Sequence, residues 1–141
     1  MPHVGQEIKR ANGFLVRIVR LEDEVLEVEA HYRGDAPLAQ PHYHPAQDEH
    51  FEVKSGRIHA VIDGNEAWYD QGEKFQIPAG ITHQMAAEGP TVLKWEVRPA
   101  LRTAEFFERF YNALDNGFPE GTTRDDFLAE YRDVFRLSAV D

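Results

Sequence analysis

Cysteine is absent from the chain, which excludes a disulfide framework, a thiolate metal site and a thiol nucleophile together. Long apolar runs are missing too. No stretch approaches the roughly 18 consecutive apolar residues that span a bilayer, and the opening MPHVGQEIKRANG has neither the basic start nor the apolar run of an export signal. Both absences predict a cytoplasmic protein with no membrane partner. Basic charge is in deficit, 15 Lys and Arg against 25 Asp and Glu for a formal net charge of -10. Such a surface repels phosphate backbones, so nucleic acid is not an expected partner. A length of 141 residues suits one domain with a core of its own, so any bound ion would serve function rather than hold the fold together.

What is present is alternation. From Phe14 to Arg98, short runs of period two are broken at close intervals by turn residues, the pattern of an antiparallel sandwich or barrel. VLEVEAHY places Leu26, Val28, Ala30 and Tyr32 on one face and Glu27, Glu29 and His31 on the other, so one side is solvated. Further strands are predicted at Glu49 to Lys54, Arg57 to Ile62, Lys74 to Ile77, Thr82 to Ala87 and Thr91 to Arg98. Asp63-Gly64-Asn65 is a tight hairpin signal, and Ser55-Gly56 and Gly89-Pro90 punctuate in the same way.

After Pro99 the period changes. Phe106, Phe107, Phe110, Tyr111 and Leu114 recur at helical spacing, with Thr103 as N-cap and Asn116-Gly117 as the stop. A second helix follows PEGTT, with Phe127, Leu128, Tyr131, Val134 and Phe135 on its stripe. Asp125 and Asp126 stand in its first turn and Arg132 and Arg136 toward its end, as the helix dipole favours. The aromatic stripes predict burial against the barrel or against a second subunit. The reading is an all-β domain over residues 1–100 with a helical extension of the same domain over 101–141.

The chemistry sits in two clusters. In PHYHPAQDEHFEVKSG, His42 and His44 share one face of a strand, their Cα atoms roughly 6.5 to 7 Å apart, so both can reach one ion. Glu49 falls on the apolar face with Phe51 and Val53. A carboxylate there is costly to bury unless something positive meets it. In GEKFQIPAGITHQM, Pro78-Ala79-Gly80 makes a sharp corner that turns His83 back toward the first cluster. Three imidazoles and a carboxylate suit one divalent ion, Fe2+, Mn2+, Ni2+, Cu2+ or Zn2+, with positions left open for catalysis. His50 alternates outward, and His3, His31 and His59 have no partner that the sequence identifies, so all four read as structural.

These residues resemble the two motifs of the cupin superfamily. His42, His44, Glu49 and Gly56 match the first motif, and Gly72, Pro78, Gly80 and His83 the second. The first motif's opening glycine falls at Ala36, with Gly34 nearby, and the second's closing asparagine falls at Ala87; neither position normally ligates metal. The resemblance covers roughly Ala36 to Arg98. It implies a double-stranded β-helix, a jelly-roll barrel, with a metal centre on His42, His44, Glu49 and His83, and family habit implies a homodimer.

By alternation the inner wall comprises Phe51, Phe75, Ile77, Met85 and Trp95, a setting for a small organic ligand. No Ser-His-Asp set, phosphate-cradling loop or dinucleotide fingerprint accompanies it, so the ion must carry much of any catalysis. Oxidation or cleavage by dioxygen at iron(II), as in a dioxygenase, ranks first. Lewis-acid chemistry of an isomerase, lyase or cyclase follows, then a noncatalytic ligand- or metal-binding module.

Overall fold

A computed structural model describes residues 1–138; residues 139–141 of the predicted extension lie outside the described residues. In chain order the elements are β1 (Glu7–Lys9), β2 (Leu15–Glu22), β3 (Val25–Tyr32), β4 (His42–Tyr43), β5 (Asp48–Ser55), β6 (Arg57–Ile62), β7 (Asn65–Asp70), β8 (Lys74–Ile77), β9 (His83–Ala87), β10 (Thr91–Arg98), α1 (Thr103–Asn116), α2 (Arg124–Glu130) and β11 (Arg136–Leu137). One sheet runs β1-β2-β3-β10-β5-β8 and the other β11-β4-β9-β6-β7, with antiparallel pairing such as β10 on β3 and β6 on β9. After β3 the chain passes back and forth between the two sheets, the β6-β7 hairpin alone staying within one, which makes the double-stranded β-helix.

Alternation becomes packing directly. Val16, Ile18, Val28, Ala30, Val53, Ile58, Ala60 and Leu93 are buried between the sheets, each large one contributing about 1.5 to 3 kcal/mol. Charged partners such as Arg17 and Glu29 pair on the outside at 3.2 Å. Asp63 and Gly64 both take positive φ, 51° and 79°, and Ile62 pairs with Asn65 across them, so the two-residue turn matches the strand twist. The strand beyond this turn, β7, carries Ala67 and Tyr69 half-buried and leaves Trp68 exposed.

The extension departs from the sequence reading. α1 begins at Thr103 with Arg102 as a cap that makes no side-chain bond. Thr103 is instead buried and accepts a hydrogen bond from Gln47 Nε2 at 2.7 Å. α2 ends at Glu130, so Val134, Phe135 and both Arg132 and Arg136 lie beyond it. Thr123 caps α2 in a reciprocal capping box with Asp126. Past α2 the chain turns and adds β11 to the second sheet, pairing Leu137 with His42 and Arg136 with Tyr43. The aromatic stripes are buried against their own barrel: Phe106, Phe107, Phe127 and Tyr131 all belong to its core. Among the described residues no helix is long and apolar enough to cross a membrane.

Gly56, the glycine of the first motif, joins β5 to β6 at φ +86°, and a Cβ there would lie 2.3 Å from the Pro90 carbonyl oxygen. Gly64, at φ +79°, has nothing within 4 Å of the same position. Gly64→Ala is expected to cost about 1 kcal/mol, the price of left-handed backbone alone, whereas Gly56→Ala is expected to cost about 3 kcal/mol or more because backbone must also move. Urea unfolding of both variants measures the difference, and equal losses would show that the close approach at Gly56 does not matter.

Candidate metal centre

Four segments bring the candidate ligands together. His42 lies on β4 and pairs with His83, the first residue of β9. His44 follows β4, and its carbonyl accepts from Gly80 N–H at 2.9 Å, which ties the Pro78-Ala79-Gly80 corner to the first histidine pair. Glu49 sits in β5 between Ile77 of β8 and Val97 of β10. Each of the three imidazoles offers a ring nitrogen within 4.8 Å of the others'.

The tautomers follow from hydrogen bonding. His42 Nδ1 meets Gln40 O at 2.9 Å, His44 Nδ1 meets Val134 O at 2.7 Å and His83 Nδ1 meets Ile81 O at 3.0 Å. A carbonyl oxygen only accepts, so each Nδ1 carries hydrogen and each neutral ring turns an Nε2 lone pair toward the others. Such outer hydrogen bonds are the usual means of orienting a metal-ligating imidazole.

Glu49 completes the arrangement. Its Oε2 accepts from the Trp95 indole N–H at 2.8 Å, while Oε1 lies 3.1 Å from Nε2 of both His44 and His83. His44 Nε2 and Glu49 Oε1 are buried without a hydrogen-bond partner although only 3.1 Å separates them. Acceptors crowded in this way require positive charge between them. One proton serves one pair, whereas a metal ion serves every donor at once. Donor atoms at adjacent corners of a six-coordinate ion with bonds of about 2.1 Å stand about 3 Å apart, so these residues fit a divalent cation.

Burial pushes the Glu49 carboxyl up, but His44 and then His83 outweigh it and hold the group well below the ordinary carboxylate range. Burial, then the neighbouring His83 and His44, push His42 down to about 4. Burial also pushes His44 down, yet Glu49 overcomes it and the net shift is upward. Near neutral pH the pocket therefore presents a carboxylate and an uncharged His42 to any cation.

A cavity of about 330 Å³ opens beside these residues. Of the five wall residues expected from alternation, Phe51, Met85 and Trp95 line it, but Phe75 and Ile77 do not. Phase along a strand says which side chains point inward, not which part of the interior they reach. Phe75 stacks on Phe51 and Tyr69 at 4.8 and 4.1 Å, and Ile77 is 1% exposed in the packed core. The sequence reading missed most of the aromatic and apolar wall, including Phe14, Tyr32 and the tail residues Phe106, Phe107, Phe110, Tyr111, Leu128, Val134 and Phe135. The aromatic stripes were their only signal, and stripes alone do not separate core from cavity.

Over residues 28–97 the sequence matches the family model described as the cupin domain. The chain belongs to the cupin superfamily. No curated protein matches it. Among solved structures, this cupin resembles KdgF from Halomonas sp., with 19% identity over 70% of this chain and 91% of that one at a TM-score of 0.63. An RmlC-like cupin from Shewanella frigidimarina gives 18% identity over 70% and 87% at 0.64. At such identities the likeness shows the fold alone. The tail of this cupin, from α1 onward, lies outside the matched family segment, yet it enters the metal centre. Besides the Val134 carbonyl on His44, Phe135 stacks on the His42 ring at 4.8 Å and 21°, and Ser138 N–H donates to Pro41 O at 2.9 Å.

The four remaining histidines sit apart from this centre. His31 contacts Glu29 at 2.7 Å, His59 contacts Glu66 at 3.1 Å and stacks on Trp68, His3 bonds to the Met1 carbonyl, and His50 lies in β5 opposite Gln76 and Glu96. Ending the chain at Asp133 removes the Val134 acceptor and the Phe135 stack. The expected result, read by zinc titration against a competing chelator, is 10- to 100-fold weaker binding with the β circular dichroism retained. Unchanged affinity would show that the tail does not orient His44.

Proposed function

We propose that this cupin holds one divalent ion on His42, His44, His83 and Glu49 and, with dioxygen, oxidises or cleaves a small, largely apolar organic molecule in the adjoining cavity. The observation that carries this reading is the set of Nε2 lone pairs and the orphaned Glu49 oxygen meeting at the end of an aromatic-lined space. A redox-active ion such as iron(II) supplies, when bound, open positions at which substrate and dioxygen meet.

The chain's own residues do the rest. Carbonyls of Gln40, Ile81 and Val134 fix the rings, and Trp95 holds one oxygen of Glu49 so that the other faces the histidines. The aromatic wall excludes water and grips an apolar body.

Oxidation is favoured over Lewis-acid isomerisation or elimination by what the cavity lacks. Among the described residues its wall outside the ligand set carries no carboxylate, imidazole or lysine amine, and its one charged side chain is the guanidinium of Arg124, always protonated; those reactions move protons through a positioned base. Its two phenols, Tyr32 and Tyr111, are both pushed upward by burial and are poor bases near neutral pH.

The test is anaerobic purification without nickel affinity, reconstitution with iron(II), metal analysis and oxygen-uptake screening against aromatic and unsaturated acids. About one iron per chain is expected, with severe loss in His44→Ala and uptake with at least one compound. Full iron occupancy without uptake across the panel would reduce the protein to a binding module, and failure to retain any divalent ion would remove the metal reading.

A further inference from the structure

Apart from the candidate ligands, the cavity wall contains few polar side chains, and most of those are occupied. Thr103 accepts from Gln47 at 2.7 Å, and Arg124 donates to Gln40 at 3.1 Å. Tyr32 and Tyr111 differ. Both line the cavity, and among the described residues neither hydroxyl makes a hydrogen bond. Tyr131 shows the contrast, since its hydroxyl accepts from Arg109 at 2.6 Å and donates to Glu105 at 2.8 Å.

The two phenols are neighbours through one ring. Phe14 packs against Tyr32 at 4.8 Å and against Tyr111 at 5.7 Å. Tyr32 pairs with Thr91 at the start of β10, whereas Val97, near the end of β10, pairs with Glu49, and both rings extend far enough into the interior for the Glu49 charge to act on their hydroxyls. The cavity thus holds the candidate ligands and two unengaged hydroxyls in one wall, together with Phe51, Trp95 and Phe107.

We propose that Tyr32 and Tyr111 form a hydrogen-bond-donating subsite for a neutral oxygen acceptor, a carbonyl or ether, on a ligand that reaches the ion and whose body is flat and apolar. The contact with the ion rests on the functional reading above; the tyrosine contact does not. Burial raises both phenols, Tyr32 to about 12, so they remain protonated donors at neutral pH. A carboxylate at this subsite would be stripped of water and would meet the Glu49 charge that already raises both phenols, whereas a carbonyl satisfies the hydroxyls at little desolvation cost. A ligand lacking the acceptor leaves them unpaired, which is the strongest basis for rejecting an analogue.

The test uses the full zinc-loaded chain and two probes, trans-cinnamate and trans-4-acetylcinnamate, with binding read by calorimetry. Wild type is expected to prefer the acetyl compound by about 10-fold, and Tyr32→Phe and Tyr111→Phe are each expected to lose several-fold of that preference while cinnamate binding holds. No preference, a preference untouched by either substitution, or no binding of either probe overturns the proposal. The ratio of the two affinities tests the tyrosines, and the change in both when zinc is removed tests the ion. If zinc has no effect but the ratio responds to the substitutions, the functional reading fails and the subsite stands.

Discussion

Three hydrogen bonds from imidazole N–H to backbone carbonyl set the character of this molecule. They lock His42, His44 and His83 in one tautomer and leave their Nε2 lone pairs facing inward, with a buried carboxylate oxygen beside two of them. In a barrel otherwise filled with Val, Ile, Leu and Phe, such crowding of acceptors is unfavourable without a cation. The fold tolerates it because each group is anchored from behind: Glu49 by the Trp95 indole and the rings by the chain. The cost is concentrated at one point, and that point is where an ion gains most.

The tail turns this centre into a site with a closed side. A barrel alone would leave His44 without its carbonyl and the cavity without half its aromatic wall. Tyr131, fully buried, fastens the turn after α2 to α1 through Glu105 and Arg109. Arg102 clamps the same turn from outside, lying 4.4 Å over the Tyr131 ring and gripping Asp133 through both oxygens. Gln47, between His44 and Glu49 in sequence, ties the ligand-bearing loop to the start of α1 by donating to the Ala100 carbonyl and Thr103 hydroxyl. Ligand loop, helix and tail are therefore one mechanically connected unit, and much of the cavity wall comes from residues outside the cupin motifs.

Much of the barrel was legible because alternation is a direct record of burial. β3, β6, β8 and β10 run over the residues where period two placed them, and Gly56 appears in the motif for a steric reason that the fold makes plain. β7 escaped because it is an edge strand whose largest residue, Trp68, faces out against His59, so its apolar pattern does not mark a face. The end of α2 escaped for a different reason. Tyr131, Val134 and Phe135 keep helical spacing, but the pull of His44 on the Val134 carbonyl and of β4 on β11 overrides local periodicity. The donor set was readable from spacing, since two short motifs name the residue types an ion needs. The cavity was not, because which inward side chains pack and which line a void depends on contacts from the tail that no local pattern encodes.

Anomalous diffraction from crystals grown with saturating zinc tests the central claim most directly. The account predicts a single peak about 2.1 Å from Nε2 of His42, His44 and His83, with His44 Nδ1 still on the Val134 carbonyl and Glu49 Oε1 facing the ion. A cavity without a peak, or an ion bound through Nδ1 after the rings have flipped, would contradict it.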